Sequence, residues 1–236
     1  MTTHNLWVEE TLAGRSIALL GFADLTEIDA DARRGFHYGV CIAMALTVLP
    51  STTEEASAAY FDEYKRVSAA LREASAFLAE QIQARGYNAL SLWHLYRQDE
   101  DFRTPLPFKT LATRAGLGWI GKSAALITKE YGNAIRLSGI LTDMPLQTGT
   151  PVNTSLCGDC EACVKYCPGR AITGNPWALY ADRDSLLDTR ACKQAVIERG
   201  RALGKTEGTC GICIAVCPWT KKHFAKITEQ GEHRHA

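Results

Sequence analysis

Seven cysteines in the last third of this chain fall into two runs that leave little freedom in how that third folds. Cys157, Cys160, Cys163 and Cys167, followed at once by Pro168, have the spacing C-x2-C-x2-C-x3-C-P, and Cys210, Cys213 and Cys217 are followed by Pro218. In the first pattern three thiolates take three irons of one cubane [4Fe-4S] cluster, while the fourth crosses to a second cluster. Two cubanes need eight thiolates, and Cys192, between the runs, supplies the missing one. The crossover rule then assigns Cys157, Cys160, Cys163 and Cys217 to one cluster and Cys167, Cys192, Cys210 and Cys213 to the other. Cys41 is left over; it lies in the apolar run from Val40 to Leu46 and reads as a small buried hydrophobe.

Zinc and disulfides are the competing readings of such cysteines. Structural zinc usually takes paired C-x2-C knuckles separated by a longer loop, whereas three cysteines at successive three-residue steps crowd too many thiolates onto one turn for one tetrahedral ion. Disulfides need an oxidising compartment. The start, Met1-Thr2-Thr3-His4-Asn5, lacks the basic opening of a secretory leader and is soon followed by Glu9 and Glu10, so a reducing cytoplasm is the expected setting.

With 236 residues, the chain has room for a core domain and a smaller appendage. All cysteines but Cys41 lie after the loop-like stretch Gly149 to Ser155, so residues 1–150 are expected to form one domain and residues 151–236 a second, held together by its clusters. Charge is balanced, 26 basic against 26 acidic residues, which gives no overall field for nucleic acid. A local patch follows the last motif, with Lys221, Lys222, His223 and Lys226 interleaved by Trp219 and Phe224; it reads either as stacking surface for nucleic acid or as a solvated helical face. No stretch of ~20 residues is free of charges and helix breakers, so no membrane span is expected.

Ahead of the cysteines, helical and extended patterns alternate. Asn5 to Leu12 reads as a short helix, Ser16 to Leu20 as a buried strand ended by Gly21, and Gly39 to Leu49 as a central strand. Tyr60, Tyr64, Val67, Leu71, Ala74, Leu78 and Ile82 step by three or four residues along a helix from Ser51 to Gly86, with Ser51 and Glu54 at capping-box spacing. Tyr87 to Trp93 reads as a strand, Thr104-Pro105 as the start of a helix ending at Arg114, and Ala124 to Thr142 as a hairpin. The fold class is α+β: a layered α/β N-terminal domain with a C-terminal bacterial ferredoxin-like double-cluster module.

Gly116-x-Gly118-x-x-Gly121 matches the dinucleotide fingerprint by letter, but a predicted helix precedes it where a strand should be. Closely spaced glycines also let a backbone approach a neighbouring element or a flat cofactor. Lys109, Arg114 and Lys122 around this loop can form an anion-binding edge or a solvated surface, and with Trp119 they are the residues expected to border a cofactor cavity.

The block from Leu106 to Lys122, continued by Leu126-Ile127-Thr128 and Leu141 to Leu146, resembles the cluster-proximal core of the epoxyqueuosine reductase family, as does the double cysteine run with its isolated intervening cysteine. The resemblance implies a corrinoid (cobalamin) held by the N-terminal domain facing two [4Fe-4S] clusters, a fold related to reductive dehalogenases, and removal of an epoxide oxygen from a modified tRNA base. Two departures stand out. The acidic proton donor expected ahead of the helix-opening proline is Phe102 here, with Asp99 and Asp101 nearby, and a phenyl ring donates no proton. The helical extension that helps such reductases hold tRNA has no counterpart after Cys217. The resemblance is to a short, stand-alone branch. The expected function is an iron-sulfur oxidoreductase that takes electrons from an external ferredoxin- or flavodoxin-type donor and passes them to a small molecule or corrinoid. The alternatives are a ferredoxin-like carrier or activator serving a protein acceptor, and epoxyqueuosine reduction itself with tRNA as partner.

Overall fold

The computed structural model describes residues 2–50, 58–95, 99, 102–202, 204 and 208–232. In chain order its helices and strands are α1 (Thr3–Thr11), β1 (Leu19–Asp24), β2 (Tyr38–Ala45), α2 (Ala58–Ala84), β3 (Ala89–Ser91), α3 (Phe108–Arg114), β4 (Trp119–Ile120), β5 (Leu126–Ile127), β6 (Ile135–Thr142), α4 (Ala162–Lys165), α5 (Thr189–Ala202), α6 (Ile212–Ala215) and α7 (Pro218–Glu232). They fall into two compact units. The first gathers Met1–Ala45, Arg66–Gly118 and Arg136–Val152; the second gathers Leu46–Lys65, Trp119–Ile135 and Asn153–Ala236. Two segments from the front of the chain are thus counted with the cysteine-rich tail, and a single cut near residue 150 does not separate the units.

The first unit is built on a four-stranded sheet of order β1-β2-β6-β3, with β1 antiparallel to β2 and β3 antiparallel to β6. Every residue of β2 from Gly39 to Met44 is buried, as its unbroken apolar run requires of a central strand. Along α2, Val67, Leu71, Ala74, Leu78 and Ile82 form a continuous buried stripe. Leu111 of α3 fits where side chains are missing from the sheet: a Cβ on Gly39 would lie 2.2 Å, and one on Gly139 2.3 Å, from its methyl carbons.

Four element assignments need correction. Gly21 does not end β1 but sits inside it, opposite Cys41, because its bare face receives Leu117. The central strand ends at Ala45, not Leu49, since the Thr47 and Val48 N–H groups donate to the buried Glu63 carboxylate at 2.8 and 2.7 Å. Helix α3 starts at Phe108, with Pro107 in its extended N-cap position, so Thr104 and Pro105 lie ahead of it. The hairpin does not form between residues 124–127 and 135–142: β5 turns back on β4, while β6 joins the large sheet. The expected capping box of Ser51 and Glu54 lies outside the described residues.

Candidate metal centre

The two cysteine runs lie on tight turns followed by very short helices, which bring sulfurs close without a large core. In the first run Cys160 N–H donates to the Cys157 carbonyl at 3.2 Å, α4 follows for a single turn, and Arg170 N–H closes on the Cys167 carbonyl at 3.1 Å. Gly211 opens α6 at φ +70°, and a Cβ there would meet Pro50 at 2.6 Å and Tyr60 at 2.7 Å, so both conformation and space demand glycine. Pro168 lies just past α4, where it bars any continuation of the helix, and Pro218 starts α7, the helix position where a missing N–H is tolerated. Cys192 stands in the first turn of α5, its N–H bonded to the Asp188 carbonyl at 3.0 Å.

These elements sort the sulfurs into two groups. Cys163 feels Cys157, Cys160 and Cys217; Cys192 feels Cys167 and Cys210; and Cys213 feels Cys210 and Cys192 ahead of Cys163 and Cys167. The first four line a cavity of about 140 Å³ together with Cys213, Lys122, Ser123 and Trp219. The strongest neighbours of Cys213 belong to the other group, so it sits between them. No three His, Cys, Asp or Glu side chains among the described residues close on one point as a single ion requires. A ring of cysteines around a cavity instead suits a cluster with several metal atoms. Gly121 makes room for it: a Cβ there would lie 3.2 Å from Cys157 Sγ and 2.3 Å from Ile127.

Electrostatics point the same way. Burial first, then the neighbouring thiolates, push the Cys163 and Cys192 thiols up to about 11, and burial pushes Cys213 upward too. Ionised sulfurs this crowded need cations among them, and binding iron releases the thiol protons. Hydrogen bonds to sulfur offset part of that repulsion. Ala171 N–H donates to Cys167 Sγ at 3.3 Å, and the Ile212 N–H near Cys210 and the Thr220 and Trp219 N–H groups near Cys217 draw those two thiols back against the rise that burial causes. Cys41 is fully buried in β2, its thiol pushed up to about 12 by that burial alone.

Of the four residues expected around a cofactor, Lys109 and Arg114 belong to the first unit and Trp119 and Lys122 to the second. Lys122 borders the cysteine cavity, and Trp119, 1% exposed, meets Trp219 edge to face at 5.2 Å. Arg114, in the first unit, is buried; its guanidinium donates to the Val152 carbonyl at 2.8 Å and lies 4.0 Å from the Glu27 carboxylate. Lys109 is half-buried on α3 of that same unit. The glycine loop leads into β4, not into a helix, which removes the dinucleotide reading. Phe102 is half-buried at φ +60°, its N–H donating to the Asp99 carbonyl at 3.0 Å, while the Asp99 carboxylate accepts from Arg103 N–H at 2.8 Å. Asp101 lies outside the described residues. In the patch on α7, Lys221, Lys222 and Lys226 are exposed, whereas His223 turns inward between the rings of Tyr131 and Phe224.

Sequence reasoning missed a buried polar knot of Asn133 and Thr220, joined by hydrogen bonds of 2.7 and 3.1 Å. The one available signal was the Gly132-Asn133 pair after Tyr131, which reads as a turn and says nothing about the partner 87 positions away.

Residues 156–220 match the sequence model of the 4Fe-4S double cluster binding domain, so the chain carries a domain for two [4Fe-4S] clusters. It is 36% identical over 129 residues to an epoxyqueuosine reductase of Pseudomonas aeruginosa, a match covering 54% of this chain and 35% of that protein. Curated epoxyqueuosine reductases are matched over about a third to a half of their length. A solved epoxyqueuosine reductase with a tRNA-Tyr epoxyqueuosine-modified tRNA stem loop has the same fold: TM-score 0.60, 18% identity, 92% of this chain and 65% of that one. So does a reductive dehalogenase whose structure suggests a mechanism for B12-dependent dehalogenation: TM-score 0.58, 16% identity, 92% of this chain and 31% of that one. Among the described residues no helix is long and apolar enough to cross a membrane.

Proposed function

We propose, for a chain akin to the epoxyqueuosine reductases in sequence and fold, that it is a cytoplasmic iron-sulfur oxidoreductase relaying electrons to a bound acceptor. Cys157, Cys160, Cys163 and Cys217 hold one cluster, and Cys167, Cys192, Cys210 and Cys213 the other. The clusters supply one-electron chemistry; the protein fixes their ligands, places N–H donors on the sulfurs and sets Lys122 and Trp219 at the cavity wall. A ferredoxin- or flavodoxin-type donor supplies the electrons. The acceptor is a small molecule or corrinoid held outside the cluster domain. The observation that carries this reading is the cavity ringed by five cysteines from two distant runs.

Iron, sulfide and cobalt analysis of anaerobically purified full-length protein tests it. Two clusters' worth of iron with tight cobalamin binding, seen as a corrinoid absorbance band, is the expected result. Zinc in place of iron, or a single cluster, overturns it.

A second reading, an electron carrier that docks on a partner protein, is favoured by Phe102, since a proton-donating carboxylic acid has no equivalent there. Full cluster content with no cobalamin uptake, and turnover only with a partner, selects the carrier. Epoxyqueuosine reduction in tRNA is tested directly on that substrate under strong reductant; absence of product ends it.

A further inference from the structure

Lys122 is a buried lysine, 8% exposed, in the wall of the cysteine cavity. Taking an ammonium group out of water is costly unless an anion answers it. Among the described residues no carboxylate does so. The Lys122 side chain makes no ion pair or hydrogen bond there, and the wall it shares holds five cysteines and an indole but neither aspartate nor glutamate. The anionic groups that this cavity can offer the ammonium are the sulfurs and what they bind.

The backbone fixes where this side chain starts. Lys122 and Ser123 form the tip of the tight turn between β4 and β5, which is closed by Gly121 N–H on the Ala125 carbonyl at 2.9 Å and by Ala124 N–H on the Gly121 carbonyl at 2.8 Å. The base of the turn is pressed against the sulfurs: a Cβ on Gly121 would lie 3.2 Å from Cys157 Sγ. Lys122 therefore leaves the chain one residue from a ligand sulfur, on a turn with little freedom to carry it elsewhere. A surface lysine would have had its charge in water; this one keeps its stem and most of its head inside.

We infer that Lys122 is the built-in counter-ion of the cluster held by Cys157, Cys160, Cys163 and Cys217, and that its charge raises the reduction potential of that cluster. The inference rests on the proposed assignment of those four cysteines to one cluster. A cubane on four thiolates is anionic when oxidised and gains one further negative charge when reduced, so a fixed cation beside it favours the reduced form. The charge biases an electron shared between the two clusters towards the one beside Lys122. The other cluster shares only Cys213 with this cavity and serves as an internal reference.

The test is a redox titration of full-length, two-cluster protein followed by electron paramagnetic resonance, for the wild type, Lys122→Met and Lys122→Arg. Methionine keeps an unbranched stem and removes the charge; arginine keeps the charge. Methionine is expected to lower the reduced-to-oxidised ratio of one cluster about tenfold at a fixed potential, a fall of about 59 mV for a one-electron couple. The shifted signal is the one that Cys157→Ser abolishes, the other moves less, and arginine restores the first. Methionine protein with full iron and unaltered potentials overturns the inference, as does an equal shift of both clusters. A shift that arginine reproduces in full also overturns it, because charge is then not the cause. If methionine sheds iron, protein carrying nitrogen-15 only at lysine Nζ decides, in a Lys222→Arg background so that the lysine 6.0 Å from the Trp219 ring does not contribute. A nitrogen-15 coupling on the reduced signal that Cys157→Ser abolishes supports the inference; its absence overturns it. Wild-type iron below two clusters is a separate failure, that of the ligand assignment, and takes the inference with it.

Discussion

The two proposed cysteine groups share one chemistry and differ in their surroundings. The group of Cys157, Cys160, Cys163 and Cys217 includes the one exposed cysteine, Cys160, has Lys122 at its wall, and has the Thr220 and Trp219 N–H groups offsetting part of the burial of Cys217. The group of Cys167, Cys192, Cys210 and Cys213 is half-buried throughout, and its nearby charges oppose each other, with Arg199 beside Cys210 and Asp188 beside Cys192. Cluster potential follows hydrogen bonding and solvent exposure as well as cluster type. Two sites with the same ligands can therefore divide the labour of accepting and delivering electrons through their neighbours alone.

The strongest break in that comparison is ligand removal. Cys217→Ser and Cys157→Ser are each expected to abolish the same cluster and half of the iron, while Cys192→Ser and Cys167→Ser abolish the other half; iron counts with resonance spectra on the four variants check it. If Cys192→Ser keeps all its iron, the partition is wrong.

A packing test ranks next. Gly132→Ala adds a Cβ against the backbone of Thr220 at positive φ, where overpacking and backbone strain together cost about 3 kcal/mol. Gly35→Ala, at φ +77° with nothing within 4 Å, isolates the strain, about 1 kcal/mol. Anaerobic urea unfolding of the pair measures the difference; equal losses would show that the Gly132 contact contributes nothing.

The acid response should be smaller. Burial, then the Lys226 charge, hold the His223 imidazole below its usual 6.5, so the folded protein favours the neutral ring. Its contribution is full above pH 6.5 and is lost as pH falls through the lower folded value, because the unfolded chain takes up the proton first. His223→Phe should flatten stability against pH below 6.5 while leaving the neutral-pH value less changed; an unaltered acid slope refutes this role.

Smallest of all is Cys41→Ala. Iron content should stay the same, at a cost of about 1 kcal/mol for lost burial. In the folded wild type the Cys41 thiol should resist alkylation, being fully buried and pushed up to about 12.

How much of this was legible in the sequence depends on the range of the interaction. The cysteine spacing is local, and so is the gathering of sulfurs it brings: Cys163 feels the charge of Cys157, Cys160 and Cys217, and Cys192 that of Cys167 and Cys210. The stripe from Val67 to Ile82 is equally local and is buried throughout. Boundaries failed where a distant group intervened: Glu63 takes the Thr47 and Val48 N–H groups and cuts the strand short. Strand pairing failed for the same reason, since apolar runs mark β5 and β6 as extended and only the wider structure decides which neighbour each takes. Arg114 reads as an anion ligand by charge, yet it is drawn into the Val152 carbonyl, a partner that spacing alone does not reveal.

Leu111 rests directly on the sheet backbone because Gly39 and Gly139 carry no side chain beneath it. With no compressible layer in between, α3 acts as a peg driven into the sheet. The chain before it, with Phe102, and the glycine loop after it are anchored at a height that two hydrogen atoms set. A methyl group at either glycine would raise the peg and shift both flanks together, so this region can exchange surface residues freely while its altitude stays locked.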